Sequence, residues 1–152
     1  MLIEQLMTKH VISVSMDATL GTIRDLFQQC RFHHVVVLEE CRIVGIISDR
    51  DLLRTVSPFA GTVAERSMDA ASLRKHAHQI MNRSVITVRP DMHVADAAII
   101  LQNNRISCLP VVDQHGACVG IVTLRDFLSW SLEQVADTSC VVKLAGNSKR
   151  AA

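Results

Sequence analysis

The chain of 152 residues has no tyrosine, one tryptophan and four phenylalanines. A flat ligand held by this protein would therefore be gripped mainly by aliphatic side chains. Charge of one sign is also missing. Lys and Arg total 16 against 15 Asp and Glu, a formal net charge of +1, so nothing points to a nucleic-acid partner held by bulk charge. A local basic pocket for a small anion stays open. No stretch approaches ~18 uninterrupted apolar residues, and no membrane span is expected. The opening MLIEQLMTKH puts Glu4 inside what would have to be an apolar signal core and offers no small-residue cleavage pattern. The five cysteines, Cys30, Cys41, Cys108, Cys118 and Cys140, are odd in number and form no CxxC pair. They predict buried, reduced thiols in a cytoplasmic protein rather than a disulfide framework. What the chain has in quantity is apolar side chain, 49% of its residues, with 20% charged. That excludes a mostly disordered chain. A folded chain of this length buries roughly 68–70% of its unfolded surface and needs no disulfide or metal to hold a core.

The sequence repeats itself. With a shift of 74, residues 7–39 lie over 81–113, and Met7, Val11, Ile12, Val14, Asp17, Gln28, Arg31 and Val37 meet identical residues. One extra residue near Gln114-His115-Gly116 makes the shift 75, and VGIISDRDLL (44–53) then lies over VGIVTLRDFL (119–128). Each half is short for a core of its own, so the halves are expected to pack on each other. VISV (11–14) and VITV (85–88) are β-branched runs and predict strands. Thr19 precedes Leu20, Ile23, Leu26 and Phe27 at helical spacing, and His93 precedes Val94, Ala97, Ile100 and Leu101 likewise. VVVLE (35–39) with RIVGIIS (42–48) predicts a hairpin, matched by 109–123 with its turn at Gln114-His115-Gly116. Helices follow over 49–56 and 124–132. Between the repeats, Ser57-Pro58 and Gly61 break the helix, and Leu73, Ala77, Ile80 and Met81 predict a further helix leading into repeat two. The division is 1–58 for repeat one, 59–73 for a linker, 74–133 for repeat two and 134–152 for a tail that frays at its end.

Ser48-x-x-Asp51 and Thr123-x-x-Asp126 stand where a strand ends and a helix begins. The bland function of that pattern is a capping box, with the hydroxyl taking a backbone N–H and the acid in the positive first turn. The same geometry suits a nucleotide: helix-start N–H groups and a hydroxyl for phosphate, and a carboxylate for both ribose hydroxyls. One residue can serve both ends. Arg50 and Arg125 are second-tier candidates for phosphate contact, since their helix spacing suits solvated or neighbour-paired side chains. Cys30-x-x-His33-His34 with Cys41 has zinc-type ligands, but a helix and a turn separate them and no metal site is expected. Cys108 and His115 bracket one strand, whose alternation keeps them apart, so no Cys/His hydrolase is expected.

GIISDRD and GIVTLRD, each after a hairpin in a tandem strand-helix-strand-strand-helix unit, resemble the CBS domain, as does Ile106-Ser107-Cys108-Leu109-Pro110-Val111-Val112-Asp113. The resemblance covers about residues 1–58 and 70–133, with Val36 departing from it where repeat two has Pro110. It implies an α+β fold of two β-α-β-β-α repeats packed with pseudo-twofold symmetry and two clefts between them. It implies a non-catalytic, energy-sensing regulatory module without catalytic cofactor, binding AMP, ADP or ATP, or S-adenosylmethionine, and acting on an unknown regulated protein. By that resemblance Ser48 and Thr123 lie near phosphate and Asp51 and Asp126 at ribose. Ile12 and Ile86, with Ile106, Ser107 and Cys108, would line the adenine. The repeat-one equivalents of the last three are Phe32, His33 and His34, so the clefts should be unequal. His34 is the better candidate for an anionic group, through a contact sensitive to pH near neutrality. The apolar helical stripes, together with the resemblance, imply a homodimer. The other reading is a structural dimerisation module whose clefts are vestigial.

Overall fold

The computed structural model describes residues 1–30 and 32–137. The expected tail beyond 137, including Cys140, lies outside them. In repeat one, β1 (Ser13–Val14) leads to α2 (Leu20–Gln29), then β2 (His34–Glu39), β3 (Arg42–Ser48) and α3 (Asp49–Thr55). A short α1 (Ile3–Leu6) precedes them, and α4 (Ser67–Leu73) lies in the linker. Repeat two has α5 (Val94–Asn104), β4 (Cys108–Val112), β5 (Cys118–Thr123) and α6 (Leu124–Asp137). The mixed α+β order and both hairpins agree with the repeat pattern. Thr19 caps α2 by accepting the Thr22 N–H, and His93 caps α5 by accepting the Ala95 N–H.

β1 runs parallel to β2, and β2 pairs antiparallel with β3 in the register His34 to Ser48. Val35, Val36 and Val37 are all fully buried, so β2 is covered on both faces. β4 and β5 make the matching hairpin, Cys108 opposite Thr123. One core cluster gathers Leu20, Ile23, Val35, Val37, Ile47, Leu52, Ala77 and Met81. The other gathers Ile3, Val94, Ala97, Leu101, Leu109, Val122 and Phe127 with their neighbours.

The two halves exchange their leading segments. Ile3 belongs to the core of repeat two, while Ala77 and Met81 belong to that of repeat one. The pairing is reciprocal: Thr8 bridges Ile121, and its equivalent Asn82 bridges Ile46. Ile3 N–H donates to Met92 O, and Ala77 N–H donates to Ala18 O. These pairs are related by the shifts of 74 and 75, which is the pseudo-twofold symmetry expressed in hydrogen bonds. Two glycines permit the crossing. A Cβ on Gly45 would lie 2.5 Å from Met81 Sδ, and one on Gly120 would collide with Met7 Sδ.

Three expectations need correction. VITV (85–88) forms no strand and touches its neighbour only through the Val88–Val111 bridge, whereas 11–14 keeps a two-residue strand. In repeat one the Val36 N–H donates to Ile12 O at 3.2 Å. The equivalent donor in repeat two would be Pro110, which has no N–H. The helix expected through Leu73, Ala77 and Met81 ends at Leu73, and only a 3₁₀ turn, Ala77–Gln79, follows. Pairing with repeat one pulls this segment out of helix: Leu20 N–H donates to Lys75 O, and His78 N–H donates to Met16 O. Finally, of the described thiols only Cys108 is buried; Cys41 is exposed, and Cys30 and Cys118 are half-buried.

Candidate functional site

The ends of β3 and β5 deliver the two Ser/Thr-x-x-Asp caps to one opening between the repeats. At the first, Asp51 Oδ2 accepts from Ser48 Oγ at 2.6 Å and from the Ser48 N–H at 2.9 Å, and the Asp51 N–H returns to Ser48 Oγ at 3.3 Å. At the second, Asp126 Oδ2 accepts from the Thr123 N–H and from Thr123 Oγ1, both at 2.7 Å. The full capping box is present at the first, and its carboxylate half at the second. Every bond that the two carboxylates accept falls on Oδ2, and neither Oδ1 carries a hydrogen bond among the described residues. A carboxylate oxygen held rigid by its partner, with its own lone pairs open, can still accept hydroxyl donors. The N–H groups of the first helical residues are already engaged. Asp49 donates to His33 O and Leu124 to Ser107 O, which removes them as anion donors.

A cavity of about 790 Å³ between the repeats holds both caps. Ser48, Asp51, Thr123, Asp126, Ile12, Ile86, His33, His34, Ile106, Ser107 and Cys108 all line it. The walls are apolar at Ile12, Ile86 and Ile106, with Phe32 as the aromatic surface of repeat one. Phe32 is fixed by Phe27, ring centroids 5.3 Å apart. Cys108 lines the cavity but is inert: burial pushes its thiol up to about 12, which removes it as a nucleophile.

Both histidines already have side-chain partners. His33 Nδ1 pairs with Asp49 Oδ2 at 2.7 Å. His34 Nε2 meets Ser107 Oγ at 3.0 Å across the two repeats. Burial holds the His34 pKa below its ordinary value; Asp49 and Asp51 pull it up, and His33 and Arg50 add to the lowering. His34 stands in the cavity wall as expected, with burial favouring its neutral form. The fixed charges differ between the repeats. Repeat one contributes Asp49 and Asp51 against Arg50, while repeat two contributes Arg105 and Arg125 against Asp126, counting described lining residues.

Arg105 was not among the sequence candidates. It ends α5 in the left-handed region, φ 52°, and lines the cavity. Its signal was its identity with Arg31 under the repeat shift, at a position where a core has no use for a guanidinium. Thr8, His10, Asn82 and Ser84 also line the cavity, brought there by the exchanged segments.

Similarity to known proteins agrees with this architecture. The sequence profile of the CBS domain matches residues 3–58 and 77–133. A CBS domain-containing protein of Dictyostelium discoideum is 32% identical over 129 residues, covering 84% of this chain and 88% of its own. A crystallised CBS domain pair, in complex with 5′-methylthioadenosine and S-adenosyl-L-methionine, superposes with a TM-score of 0.73 at 25% identity. That match covers 88% of this chain and 98% of the other. The cytosolic domain of the Mg²⁺ channel MgtE, in complex with ATP, superposes with a TM-score of 0.63 at 28% identity, over 82% of this chain and 46% of that one. Two matched repeats, reciprocal pairing and a shared cavity make this chain a member of the CBS-domain family.

Proposed function

We propose that this chain is a non-catalytic regulatory module that takes an adenosine-containing ligand into the cavity between its repeats and signals occupancy to a partner protein in the cytoplasm. The observation that carries the reading is the convergence of two Ser/Thr-capped carboxylates, Asp51 and Asp126, on one cavity of about 790 Å³ with apolar walls. Each carboxylate accepts ribose hydroxyls through Oδ1. Ile12 and Phe32 hold one base; Ile86 and Ile106 hold another. Ser48, Thr123, His33, His34, Ser107 and Cys108 complete the polar rim, and a phosphate faces Arg105 and Arg125. AMP, ADP, ATP and S-adenosylmethionine are the ligand class, in keeping with what the two solved relatives hold. The functional unit is the pair 1–58 and 74–133, with 59–73 as linker and 134–152 as tail.

Signalling needs a ligand that prefers one relative orientation of the repeats, because equal affinity for two orientations shifts neither. Homodimerisation has support of its own. Leu124, Leu128, Leu132 and Val135 are exposed on α6 and fall on one face at helical spacing. That stripe also favours the second reading, a dimerisation module with vestigial clefts.

Thermal melting with each of the four ligands separates the two. A site filled at ~100 times its dissociation constant adds about 2.7 kcal/mol, hence a rise of about 5–11 °C at roughly 2–4 °C per kcal/mol. No rise with any ligand at millimolar concentration would favour the dimerisation module.

A further inference from the structure

At the end of the sheets away from the cavity, the two hairpins meet. Arg42 and Ala117 form an antiparallel bridge, and the Cys118 N–H donates to Cys41 O at 3.3 Å. In that register Cys41 and Cys118 stand directly opposite each other, one from each repeat. Opposed residues joined by such a hydrogen bond have Cα atoms about 5.5 Å apart. A disulfide needs a Cα separation of about 4.4–6.8 Å.

A second observation is independent of that register. Glu40 and Cys41 make the two-residue turn of repeat one with φ 47° and 66°, a conformation that favours asparagine and glycine. The equivalent of Cys41 in repeat two is Gly116, at φ 81°. Repeat one thus holds a cysteine where the backbone favours glycine, and holds it against the partner hairpin's cysteine. Cys41 is exposed and Cys118 is half-buried.

We propose that Cys41 and Cys118 are a redox site that closes to a reversible disulfide, locking the two hairpins across the pseudo-twofold axis when the protein meets a low-molecular-weight disulfide such as oxidised glutathione. Exposed Cys41 loses its proton, and its thiolate attacks one sulfur of oxidised glutathione. One glutathione leaves as thiolate, and Cys41 is left as the mixed disulfide. Cys118 loses its proton and attacks the Cys41 sulfur, expelling the second glutathione. Two protein thiols are oxidised, one disulfide is reduced to two glutathione thiols, and the two protons end on those thiols. Burial raises the Cys118 pKa, consistent with its acting second, against a sulfur already activated as a disulfide.

The pair lies where a lock would act at a distance. β3 runs from Arg42 to Ser48 and β5 from Cys118 to Thr123, so each strand carries a cavity cap at its far end. From Cys118 to Thr123 is roughly 17 Å of strand. Fixing the near ends restricts how β3 and β5 tilt, and with them the two caps; this consequence for ligand rests on the proposed nucleotide function, whereas the bond itself does not.

The full chain is incubated with oxidised glutathione, alkylated and digested without reduction, and its peptides are read by mass spectrometry. The expected product is an intramolecular peptide joining Cys41 to Cys118, with a melting midpoint that rises and returns on treatment with dithiothreitol. In Cys118→Ser a glutathione adduct should stop on Cys41 with no rise. Unlinked Cys41 carrying a stable adduct in the natural chain, or Cys41 joined to any other cysteine in preference, overturns the proposal. Repeating the melt without any nucleotide keeps this result separate from the ligand question.

Discussion

Repeat one closes its sheet with three strands and repeat two with two, although VISV and VITV are nearly the same run. The difference is one backbone donor: Val36 supplies an N–H to Ile12 O, and Pro110 has none to give. The cavity shows the same pattern of small departures on a shared plan. The two carboxylates bond alike, Asp51 to the N–H and hydroxyl of Ser48 and Asp126 to those of Thr123. Around them, repeat one adds Asp49, His33 and His34, where repeat two has Leu124, Ser107 and Cys108. The duplicated positions hold the fold; the divergent ones set the charge of each half-cavity. An anion drawn by fixed charge meets two arginines, Arg105 and Arg125, on the side of repeat two.

The largest expected effect tests whether the halves are truly reciprocal. Gly45→Val and Gly120→Val each drive a side chain into the opposing Met81 or Met7. Overpacking of this kind costs typically 1–3 kcal/mol, and chemical denaturation should show similar losses for both. A large loss at only one would break the symmetry of the crossing.

A smaller effect separates the repeats by pH. The His34 pKa is lowered from 6.5 by burial, so the unfolded chain binds the proton more readily than the folded one. Its contribution to stability is complete above the unfolded value and is lost as pH falls through the folded one. His34→Gln, which can keep a bond to Ser107, should flatten the fall in melting midpoint just below pH 6.5. The facing groups Asp49, Asp51, His33 and Arg50 remain in both proteins, so an unchanged profile would remove His34 as the cause.

The smallest effect sharpens the difference in strands. Pro110→Val restores a donor for Ile86 O and should add about 0.5–1.5 kcal/mol, the net worth of one hydrogen bond. Slow amide exchange at position 110 would show the new bond, and rapid exchange there would mean that 85–88 stays unpaired for another reason.

Much of this plan was legible in the sequence because duplication doubles every signal. The capped helices at Thr19 and His93, both hairpins and both Ser/Thr-x-x-Asp caps stand at the expected positions. What escaped was set by contacts between distant segments. The helix expected through Ala77 and Met81 had the right apolar positions but the wrong conformation, because its backbone groups find Met16 and Ala18 instead. The proline in repeat two was visible as a departure, yet the bond it removes required the partner strand. Likewise the lowered pKa of His34 could not be read from its neighbours in sequence, since its burial comes from repeat packing.

The central claim is that Asp51 and Asp126 bind ribose in a shared cavity. Its most direct test is calorimetric titration of AMP, ADP, ATP and S-adenosylmethionine into the natural chain, Asp51→Ala, Asp126→Ala and the double variant. Loss of charge-assisted hydrogen bonds costs about 1.5–3 kcal/mol, or roughly 10- to 150-fold in affinity at each half. The account predicts that each single variant weakens one binding event and that the double variant weakens both by that factor, while all three remain folded. Binding unchanged in both single variants, or no binding of any of the four to the natural chain, would contradict it.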